Sequence, residues 1–390
     1  MDYRDTLRHL IEIDTSGPDA SGCRRAMAII AKDFEAIGLN VSMHDIPPES
    51  AGGLHGRAAL IAHRERPDRP RLIIYGHIDV VPAEGWDAFS AVFRSGRVYG
   101  RGAADMKGAL CALVGALALV HDRPLAYDVS VVVTMDEETH QLEQLQYLTD
   151  ILQPGPSPLV ITLDTGCGYV SVANLGVLQL DVHVKGKAVH SGLAHMGHNA
   201  VEAAAQLVQA MVELRPIVVR RKSAVEAHPD TGVSFLEPRL NVNLIEGGLA
   251  RNVVPDGCTF SIDRRLIPEE RLDDARDEIL GALGRVDGVQ WSVAREFMIP
   301  PVAPCTHPAA RELAQIVGEV TGASGLFGEM MSGELPYAAR TWWNGTVFGV
   351  GLIRPDSHVH GIDEFVNERD LEHLVKVLSR FLTADREEAA

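Results

Sequence analysis

Residues 99–108 read YGRGAADMKG and place one acid, Asp105, between a run of small residues and a lysine–glycine pair. Glycine and alanine allow the backbone to turn tightly and another group to approach closely. The stretch does not match the G-x-x-x-x-G-K-S/T pattern of a phosphate-binding loop, because its spacing differs and neither Ser nor Thr follows Lys107. A carboxylate at its centre would also repel phosphate. The sequence therefore predicts a tight loop whose acid requires a cation.

The composition is that of a soluble globular protein. The chain has 390 residues, of which 46% are hydrophobic and 23% charged, and its formal net charge is −17. This length predicts two domains. We find no basic cluster of the kind that binds nucleic acid or acidic lipid. Bound metal would neutralise part of the excess acid.

The sequence predicts a cytoplasmic protein with reduced thiols. The longest uncharged apolar run, ALCALVGALALV at residues 109–120, is too short to span a bilayer and predicts a buried helix. The first residues carry charge from position 2 onward, unlike a signal peptide. The 5 cysteines are odd in number and lack C-x-x-C spacing, so disulfides are not expected.

The first 175 residues alternate helical and strand patterns. Residues 6–13 and 23–39 have helical periodicity, and the second helix is expected to stop at Gly38. Short apolar runs predict three buried strands, at residues 71–76, 129–135 and 158–164. Ligand sites of open α/β sheets lie outside the carboxyl ends of the strands. The polar residues that follow these strands are therefore predicted to share one edge: His77, Asp79, Asp136, Glu137, Glu138 and Asp164.

The pattern changes after residue 175. Strands and helices are predicted in the order β-α-β-β-α-β, at residues 176–186, 199–215, 239–248, 258–267, 268–284 and 289–297. This is the order of a ferredoxin-like unit inserted between two parts of another domain. An α/β pattern then returns, with a helix from Pro308, a strand at 346–351 and a last helix from about Glu368. The predicted domain segments are 1–175, 176–295 and 296–390.

His77 and Asp79 lie two positions apart at a strand end, so both side chains point to the same face in extended backbone. Imidazole is a common zinc ligand, and a carboxylate on its second nitrogen fixes the tautomer and raises its basicity. Alone, such a pair is more often a satisfied surface His–Asp pair than part of a metal site.

Adjacent Glu137 and Glu138 follow the next strand in the sequence MDEETH. A metal-dependent hydrolase needs one acid that holds metal and another, unligated, that takes a proton from water. Neighbouring glutamates can divide these roles, because a cation suppresses the raised pKa that two close carboxylates otherwise show. The alternative for such a charge run is a pair of solvated loop acids.

Asp164 ends the run VITLD, and His360 lies in SHVHGIDEFV near the carboxyl terminus. Each alone is more often structural than functional. Together with the other strand-end residues they form a set of oxygen and nitrogen donors without thiolate, which predicts zinc, with manganese or cobalt as alternatives. Cys167 lies three positions beyond Asp164, and we interpret it as a small buried thiol rather than a ligand.

Eight motifs occur in a recognisable order: GHIDVVP, GRGAADMKG, DEE, LDTG, KAVHS, GHNAVEAA, RNVVPD and HGIDEFV. In these the chain resembles the family of di-zinc amidohydrolases and metallopeptidases that includes aminoacylase, carboxypeptidase G, acetylornithine deacetylase, succinyl-diaminopimelate desuccinylase and cytosolic dipeptidases. The resemblance covers nearly the whole chain. The first three motifs are highly specific together, whereas LDTG alone is weak. The resemblance implies an α/β metallopeptidase-type catalytic domain, with a mixed sheet flanked by helices, and an inserted ferredoxin-like α+β dimerisation (lid) domain.

The resemblance also implies a dinuclear metal site. Asp105 resembles the carboxylate that bridges two metals, with the small residues allowing the loop to close beneath them. His77 and Asp164 would complete one metal site, and Glu138 and His360 the other.

Catalytic roles follow from the same resemblance. Glu137 would be the general base and Asp79 the partner of His77. His190 in KAVHSG resembles the histidine that reaches the site of a partner subunit and stabilises the oxyanion. Asn252 and Arg265 resemble substrate-binding positions, with Arg265 suited to a bidentate contact with a free carboxylate.

Some candidate residues have a neighbour that could take the same role, and some segments differ from the family pattern. Arg264 and Arg251 adjoin Arg265 and Asn252 respectively, so either arginine is an alternative. The segment MMSGELPYAAR is closest to the glycine–serine loop of the dipeptidase branch, which makes Ser332 and Gly333 candidate substrate contacts. Asp363 stands where Asn is common, and we expect it to lie behind the ligands.

The leading hypothesis is an enzyme that hydrolyses the amide bond of a small N-acyl amino acid with a free carboxylate, as a deacetylase or desuccinylase does. An alternative is a dipeptidase, carboxypeptidase or other C–N hydrolase that uses the same metals. An alternative of another class is a non-catalytic small-molecule binding protein. The chain has Glu137 in addition to all five candidate ligands. This argues against a non-catalytic binding protein, because binding alone does not require an unligated base. The expected partners are a small substrate and a second copy of the chain, without nucleic acid or membrane.

Overall fold

The computed structural model describes residues 2–139 and 142–383, which form two compact units. The first unit contains the described parts of residues 1–172, 305–327 and 334–390, and the second contains residues 173–304 and 328–333. Two stretches, 296–304 and 328–333, thus cluster with the second unit, whereas the sequence analysis assigned them to the segment that follows the inserted domain.

Backbone hydrogen bonds explain the longer second unit. The amide N–H of Val302 donates to the carbonyl of Asn174 at 3.0 Å. The N–H of Leu175 donates to the carbonyls of Glu329 and Met331, at 3.3 and 3.1 Å. These bonds join both stretches to the start of the second unit.

Within the described residues, the chain up to residue 174 forms four α-helices and eight strands. In chain order they are α1 (Tyr3–Ile11), α2 (Ala20–Ala36), β1 (Asn40–Asp45), β2 (Ala58–Arg64), β3 (Arg71–His77), β4 (Val92–Arg94), β5 (Arg97–Tyr99), α3 (Lys107–Leu119), β6 (Asp128–Thr134), α4 (Leu142–Leu152), β7 (Leu159–Thr162) and β8 (Val170–Asn174). The middle part contains β9 (Gly176–Lys185), β10 (Val189–His190), α5 (Ala200–Val218), β11 (Arg239–Gly247), β12 (Val253–Val254), β13 (Gly257–Leu266), α6 (Leu272–Leu283) and β14 (Gln290–Ile299). The last part contains α7 (Pro308–Thr321), β15 (Leu326–Glu329), α8 (Glu334–Thr341), β16 (Thr346–Gly349), β17 (Phe365–Asn367) and α9 (Glu368–Leu382).

The large sheet is mixed and has eight strands in the order β1-β2-β6-β3-β7-β16-β8-β15. Strand β3 is parallel to both β6 and β7, and β2 pairs antiparallel with β6. The three central strands are rich in Val, Ile and Leu and almost fully buried, as expected for strands covered on both faces. The predicted mixed α/β sheet is confirmed, and its central strands end at one edge.

Helix α3 follows the YGRGAADMKG stretch directly. It is buried from Lys107 to Leu117, which confirms the predicted buried helix. Its residue Leu113 belongs to the main apolar cluster, as do Leu10 of α1 and Leu378 of α9. The loop that carries Asp105 is therefore anchored on the carboxyl side by a helix in the core.

A small three-stranded sheet in the order β17-β5-β4 lies beside that loop. Strand β17 pairs antiparallel with β5, so that Phe365 lies opposite Tyr99. This pairing brings the carboxyl-terminal HGIDEFV motif next to the YGRGAADMKG stretch.

The second unit contains a four-stranded antiparallel sheet in the order β11-β13-β9-β14. With helices α5 and α6 it has the predicted β-α-β-β-α-β order, and the sheet order is that of a ferredoxin-like unit. The apolar cluster of the unit includes Leu180 of β9, Leu207 of α5, Phe260 of β13 and Ile279 of α6. A two-stranded pair, β10 with β12, lies outside this sheet.

In the described residues, no helix is both long enough and apolar enough to cross a membrane.

Candidate metal centre

The carboxyl ends of β3, β6 and β7 position four of the candidate ligands and bases. His77 is the last residue of β3, Glu137 and Glu138 lie in a single 3-10 turn shortly after β6, and Asp164 follows β7. Because these strands are parallel neighbours, their ends meet at the same edge of the sheet. These four residues therefore lie at the one sheet edge where we predicted them.

Asp105 lies between two histidines. Its Oδ1 is 3.3 Å from His77 Nε2, and its Oδ2 is 3.1 Å from His360 Nε2. His360 Nε2 is also 3.3 Å from Glu138 Oε2. One carboxylate thus offers an oxygen to each side of the cluster.

Two groups of potential metal ligands share Asp105. One consists of His77, Asp105 and Asp164, and the other of Asp105, Glu138 and His360. Within each group the ligand atoms all lie within 4.8 Å of one another. Residues 2–139 and 142–383 contain no other group of three that meets this condition.

Buried polar atoms that lack a hydrogen-bond partner show whether this cluster is suited to bind a cation. Among the described residues, four buried polar atoms of the cluster have no hydrogen-bond partner: His77 Nε2, Asp79 Oδ1, Asp105 Oδ1 and Glu138 Oε1. Leaving such atoms unpaired is costly, and they are expected to meet a partner that the protein itself does not supply. Three of the four belong to the ligand groups, so the donor set fits divalent cations.

The charges of the cluster are strongly coupled. Burial disfavours charge on His77, but the carboxylates of Asp105 and Asp79 outweigh it and raise the pKa of His77 well above its ordinary value. Asp105 and Glu138 raise the pKa of His360 to about 10. Burial would raise the pKa of Asp105, yet the two neighbouring imidazoles hold that pKa well below its usual range. Because a ligating imidazole is neutral, a cation bound here would displace protons.

Glu137 is close to the cluster but belongs to neither ligand group of the described residues. It is half-buried. Burial and the carboxylates of Asp164 and Glu138 raise the pKa of Glu137 well above its ordinary value, although His77 opposes them. Glu137 therefore lies beside the two ligand groups of the described residues without belonging to either.

Asp79 contacts His77 mainly through its backbone. His77 Nδ1 is 3.1 Å from the carbonyl oxygen of Asp79 and 3.4 Å from its carboxylate Oδ1. The other carboxylate oxygen, Oδ2, accepts the backbone N–H of Glu138 at 2.9 Å. Asp79 therefore orients a histidine and also fixes the turn that carries both glutamates.

Behind the two glutamates lies a buried ion pair that sequence reasoning did not identify. Arg57 Nε is 3.0 Å from Asp136 Oδ1, and their side chains are 1% and 2% exposed. Gln144 also donates to the Asp136 carboxylate. Burial raises the pKa of Asp136 to about 6, although Gln144 and Arg57 oppose it. Asp136 is thus a structural residue of the DEE motif.

Sequence reasoning also missed Glu364. This residue is fully buried, and its Oε1 accepts the N–H groups of Ala104 and Asp105 at 3.0 and 3.2 Å. Its neighbour Asp363, which we expected to lie behind the ligands, is instead exposed at a backbone φ of 58°. Asn and Asp tolerate this left-handed conformation best among non-glycine residues, which explains an acid at that position. In the sequence, the only sign of a role for Glu364 is that it stands next to Asp363 in the motif HGIDEFV.

Lys107 and Cys167 are not part of the ligand groups of the described residues. The Nζ of Lys107 donates to the carbonyls of Leu10 and Ile13, at 2.9 and 3.1 Å, and burial lowers the pKa of Lys107 to about 8. It therefore anchors the end of α1. Burial raises the pKa of the Cys167 thiol to about 12.

The remaining candidates lie in the second unit. His190 is exposed, and its Nδ1 accepts the N–H of Gly192 at 3.2 Å. The N–H of Ser191 donates to the carbonyl of Asn252 at 3.0 Å, and β10 pairs with β12, so His190 and Asn252 lie in one local structure.

The structure distinguishes the two neighbouring arginines. Arg264 is fully buried and forms an ion pair with Glu270. Arg265 is partly exposed, pairs with Asp263 through two bonds of 2.9 and 3.2 Å, and donates to Ser332 Oγ at 3.2 Å. Gly333 follows Ser332 in the segment 328–333 of the same unit. Arg265 and Ser332 thus form a polar pair, whereas Arg264 is structural.

Comparisons with known proteins show which family this chain resembles in sequence and fold. The sequence profile of Peptidase family M20/M25/M40 matches residues 73–384. An acetylornithine deacetylase of Myxococcus xanthus is 31% identical over 322 residues, which are 80% of this chain and 79% of the relative. The M20 family metallo-carboxypeptidase Sso-CP2 from Sulfolobus solfataricus has a TM-score of 0.78 at 17% identity, covering 98% of each chain. The YXEP protein of Bacillus subtilis, described as a dinuclear metal binding peptidase, has a TM-score of 0.66 at 13% identity, covering 97% of this chain and 96% of the other.

Proposed function

The chain belongs to Peptidase family M20/M25/M40 and is a metal-dependent amide hydrolase, and we propose that it deacylates a small N-acyl amino acid with a free carboxylate. The observation that carries the proposal is the position of Asp105, which belongs to two ligand groups at once. The relative with 31% identity is a deacetylase of an N-acyl amino acid, which favours this substrate class.

The two ligand groups would hold two divalent metal ions, with zinc as our proposal and manganese or cobalt as alternatives. His77 and Asp164 would serve one ion, Glu138 and His360 the other, and Asp105 both. Such ions supply Lewis acidity, which polarises the scissile carbonyl and makes water a stronger acid. The oxygen and nitrogen donors present here suit all three metals.

Glu137 is our proposed general base. It accepts a proton from the attacking water and passes it to the leaving amine. Its carboxylate is free for this role because neither ligand group of the described residues uses it. Asp79 positions His77 and the glutamate turn for this step.

Substrate recognition is assigned to the second unit. Arg265 and Ser332, which contact each other at 3.2 Å, would bind the substrate carboxylate, with Asn252 and the backbone at Gly333 as further polar contacts. His190 would stabilise the oxyanion in the site of a partner subunit. This requires a homodimer formed through the inserted domain, with the first unit as the catalytic domain.

A second candidate is a dipeptidase or carboxypeptidase, as the solved metallo-carboxypeptidase neighbour suggests. A pair of matched substrates distinguishes a deacylase from a dipeptidase. N-acetyl-leucine and glycyl-leucine differ only in the amine on the acyl side. We expect the chain, loaded with Zn²⁺ or Mn²⁺, to cleave N-acetyl or N-succinyl amino acids with the higher kcat/KM. A higher kcat/KM for the dipeptides would assign a dipeptidase instead. Failure to cleave either class with any of the three metals would contradict the proposed function.

A further inference from the structure

The loop that carries Asp105 and the loop that carries His360 meet at one buried carboxylate, that of Glu364. Its Oε1 accepts two consecutive backbone N–H groups, those of Ala104 and Asp105. Its own carbonyl accepts the N–H of Gly100 at 3.0 Å. Glu364 therefore contacts both ends of the tight turn from residue 100 to residue 105.

Arg101 completes this arrangement. Its Nη1 is 2.6 Å from Glu364 Oε2, and the two side chains are 3% and 0% exposed. Its Nη2 donates to the carbonyl of Gly361 at 3.2 Å, next to His360. Because Arg101 balances the charge of Glu364, this carboxylate needs no cation. It acts on the cluster through the backbone of Asp105.

Removing this carboxylate would leave buried groups without partners. The N–H groups of Ala104 and Asp105 lie in a turn that supplies no acceptor of its own among the backbone bonds described. Buried backbone N–H groups are almost always paired, so the turn would have to move to find new acceptors. Asp105 would move with it, relative to His77 and His360.

We propose that Glu364, together with Arg101, is a positioning residue that sets the spacing between Asp105 and His360 and thereby the affinity of the metal site that contains His360. The inference rests on the metal site of the proposed function. Two of the three ligands in that group, Asp105 and His360, are on the joined loops, whereas the other group has only Asp105 there. The site with His360 is therefore the more sensitive one.

The test is a titration of the full-length, metal-stripped chain with Co²⁺, followed by visible absorption and by competition with a chelator. A glutamine at position 364 has only one acceptor oxygen, so its NH₂ group must face either the two backbone N–H groups or the Arg101 guanidinium, all of which are donors. We therefore expect Glu364→Gln to weaken one Co²⁺ site about 10–100-fold, as is usual for residues that orient metal ligands, and to change its absorption spectrum. The other site should weaken less. Co²⁺ affinities and spectra equal to those of wild type would overturn the proposal.

Two controls separate positioning from general destabilisation. Asp128→Asn removes a partly buried ion pair with Arg71 in the same unit, at the opposite ends of β3 and β6, and should leave both Co²⁺ affinities unchanged. Arg101→Lys keeps a cation beside Glu364 and should bind Co²⁺ more tightly at the sensitive site than Arg101→Met. If Glu364→Gln does not fold, the comparison of Arg101→Lys with Arg101→Met tests the proposal instead. Equal Co²⁺ affinities of these two variants at the site that contains His360 would overturn it.

The titration does not depend on hydrolysis. A wild-type chain that binds two Co²⁺ ions but cleaves no substrate contradicts the proposed function, while a weakened site in Glu364→Gln still supports the inference. A wild-type chain without a Co²⁺ site at His360 overturns both.

Discussion

His360 Nε2 lies 3.1 Å from Asp105 Oδ2, although 255 positions separate the two residues in the sequence. The contact forms because β17 pairs with β5 and brings the two motifs side by side. It joins a histidine from the end of the chain to a carboxylate that also approaches His77. The two ligand groups therefore meet at a single side chain.

Replacing the proposed base should separate metal binding from turnover. Glu137→Gln removes the proton acceptor but no ligand, so we expect metal content to stay normal while kcat falls by about 10²–10⁴-fold. Steady-state kinetics and metal analysis on the same preparation measure both. The matched control is Glu143→Gln, an exposed glutamate of α4. Wild-type turnover in Glu137→Gln would place the proton carrier elsewhere.

Replacing His190 tests the assembly. His190→Ala removes the proposed oxyanion donor, and the loss of one such donor typically costs about 10²–10³-fold in kcat. If His190 acts in the site of a partner subunit, mixing this variant with Glu137→Gln creates heterodimers in which one site has both intact groups. Activity should then partly return on subunit exchange. A fully active monomer, or no recovery after demonstrated exchange, would contradict a role across a dimer.

The two neighbouring arginines should fail in different ways. Arg265→Met removes the proposed partner of the substrate carboxylate, so KM should rise for an N-acyl amino acid but not for the same compound with its carboxylate amidated. Arg264→Met removes the fully buried cation beside Glu270, which keeps Arg221 as a partner, so the free energy of unfolding should fall by about 1–3 kcal/mol. Kinetics and chemical unfolding distinguish the two. A preserved preference for the free carboxylate in Arg265→Met would exclude Arg265 from substrate binding.

Asp128 should make stability depend on pH. Burial would raise its pKa, but the backbone N–H of Arg66 and the side chains of Arg71 and His63 outweigh it and lower the pKa. A lowered folded-state pKa contributes stability above the unfolded value of about 3.9 and loses it as pH falls toward the folded value. Asp128→Asn should therefore reduce the free energy of unfolding by about 1–3 kcal/mol at pH 7, with the difference from wild type shrinking below about pH 4.

Urea unfolding at several pH values measures this difference. The exposed Asp68→Asn is the matched control, because its carboxylate has 78% exposed side-chain area and only a distant contact with Arg69, at 3.9 Å. A difference between Asp128→Asn and wild type that stays constant from pH 7 to pH 3 would contradict the assigned role of Asp128.

Much of the fold was predictable because its central strands are short apolar runs and its core helices have clear periodicity. Strands β3, β6 and β7 lie within a residue or two of their predicted bounds. Strand β1 was missed because it is an edge strand with an exposed or half-exposed side chain at every position, so no apolar run marks it. Helix α8 was missed as well, since it lies in a segment that we interpreted only as a loop.

The ligand candidates were predictable from the motifs, because each follows a strand or lies in a distinctive local sequence. Glu364 was not, because its function depends on contacts with residues 259 and 260 positions away. The sequence offers Asp363 and Glu364 side by side, and in the fold Asp363 is exposed at a positive φ whereas Glu364 is buried. Local patterns do not contain that information.

The most direct test of the account is the number of metal ions bound per chain after dialysis. The wild-type chain should bind two divalent ions, one in each ligand group. His360→Ala and Asp164→Ala should each retain one, because each residue belongs to a single group, and Asp105→Ala should retain none, because Asp105 belongs to both. Two ions bound to a folded Asp105→Ala chain would contradict the claim that this carboxylate is shared between two metal sites.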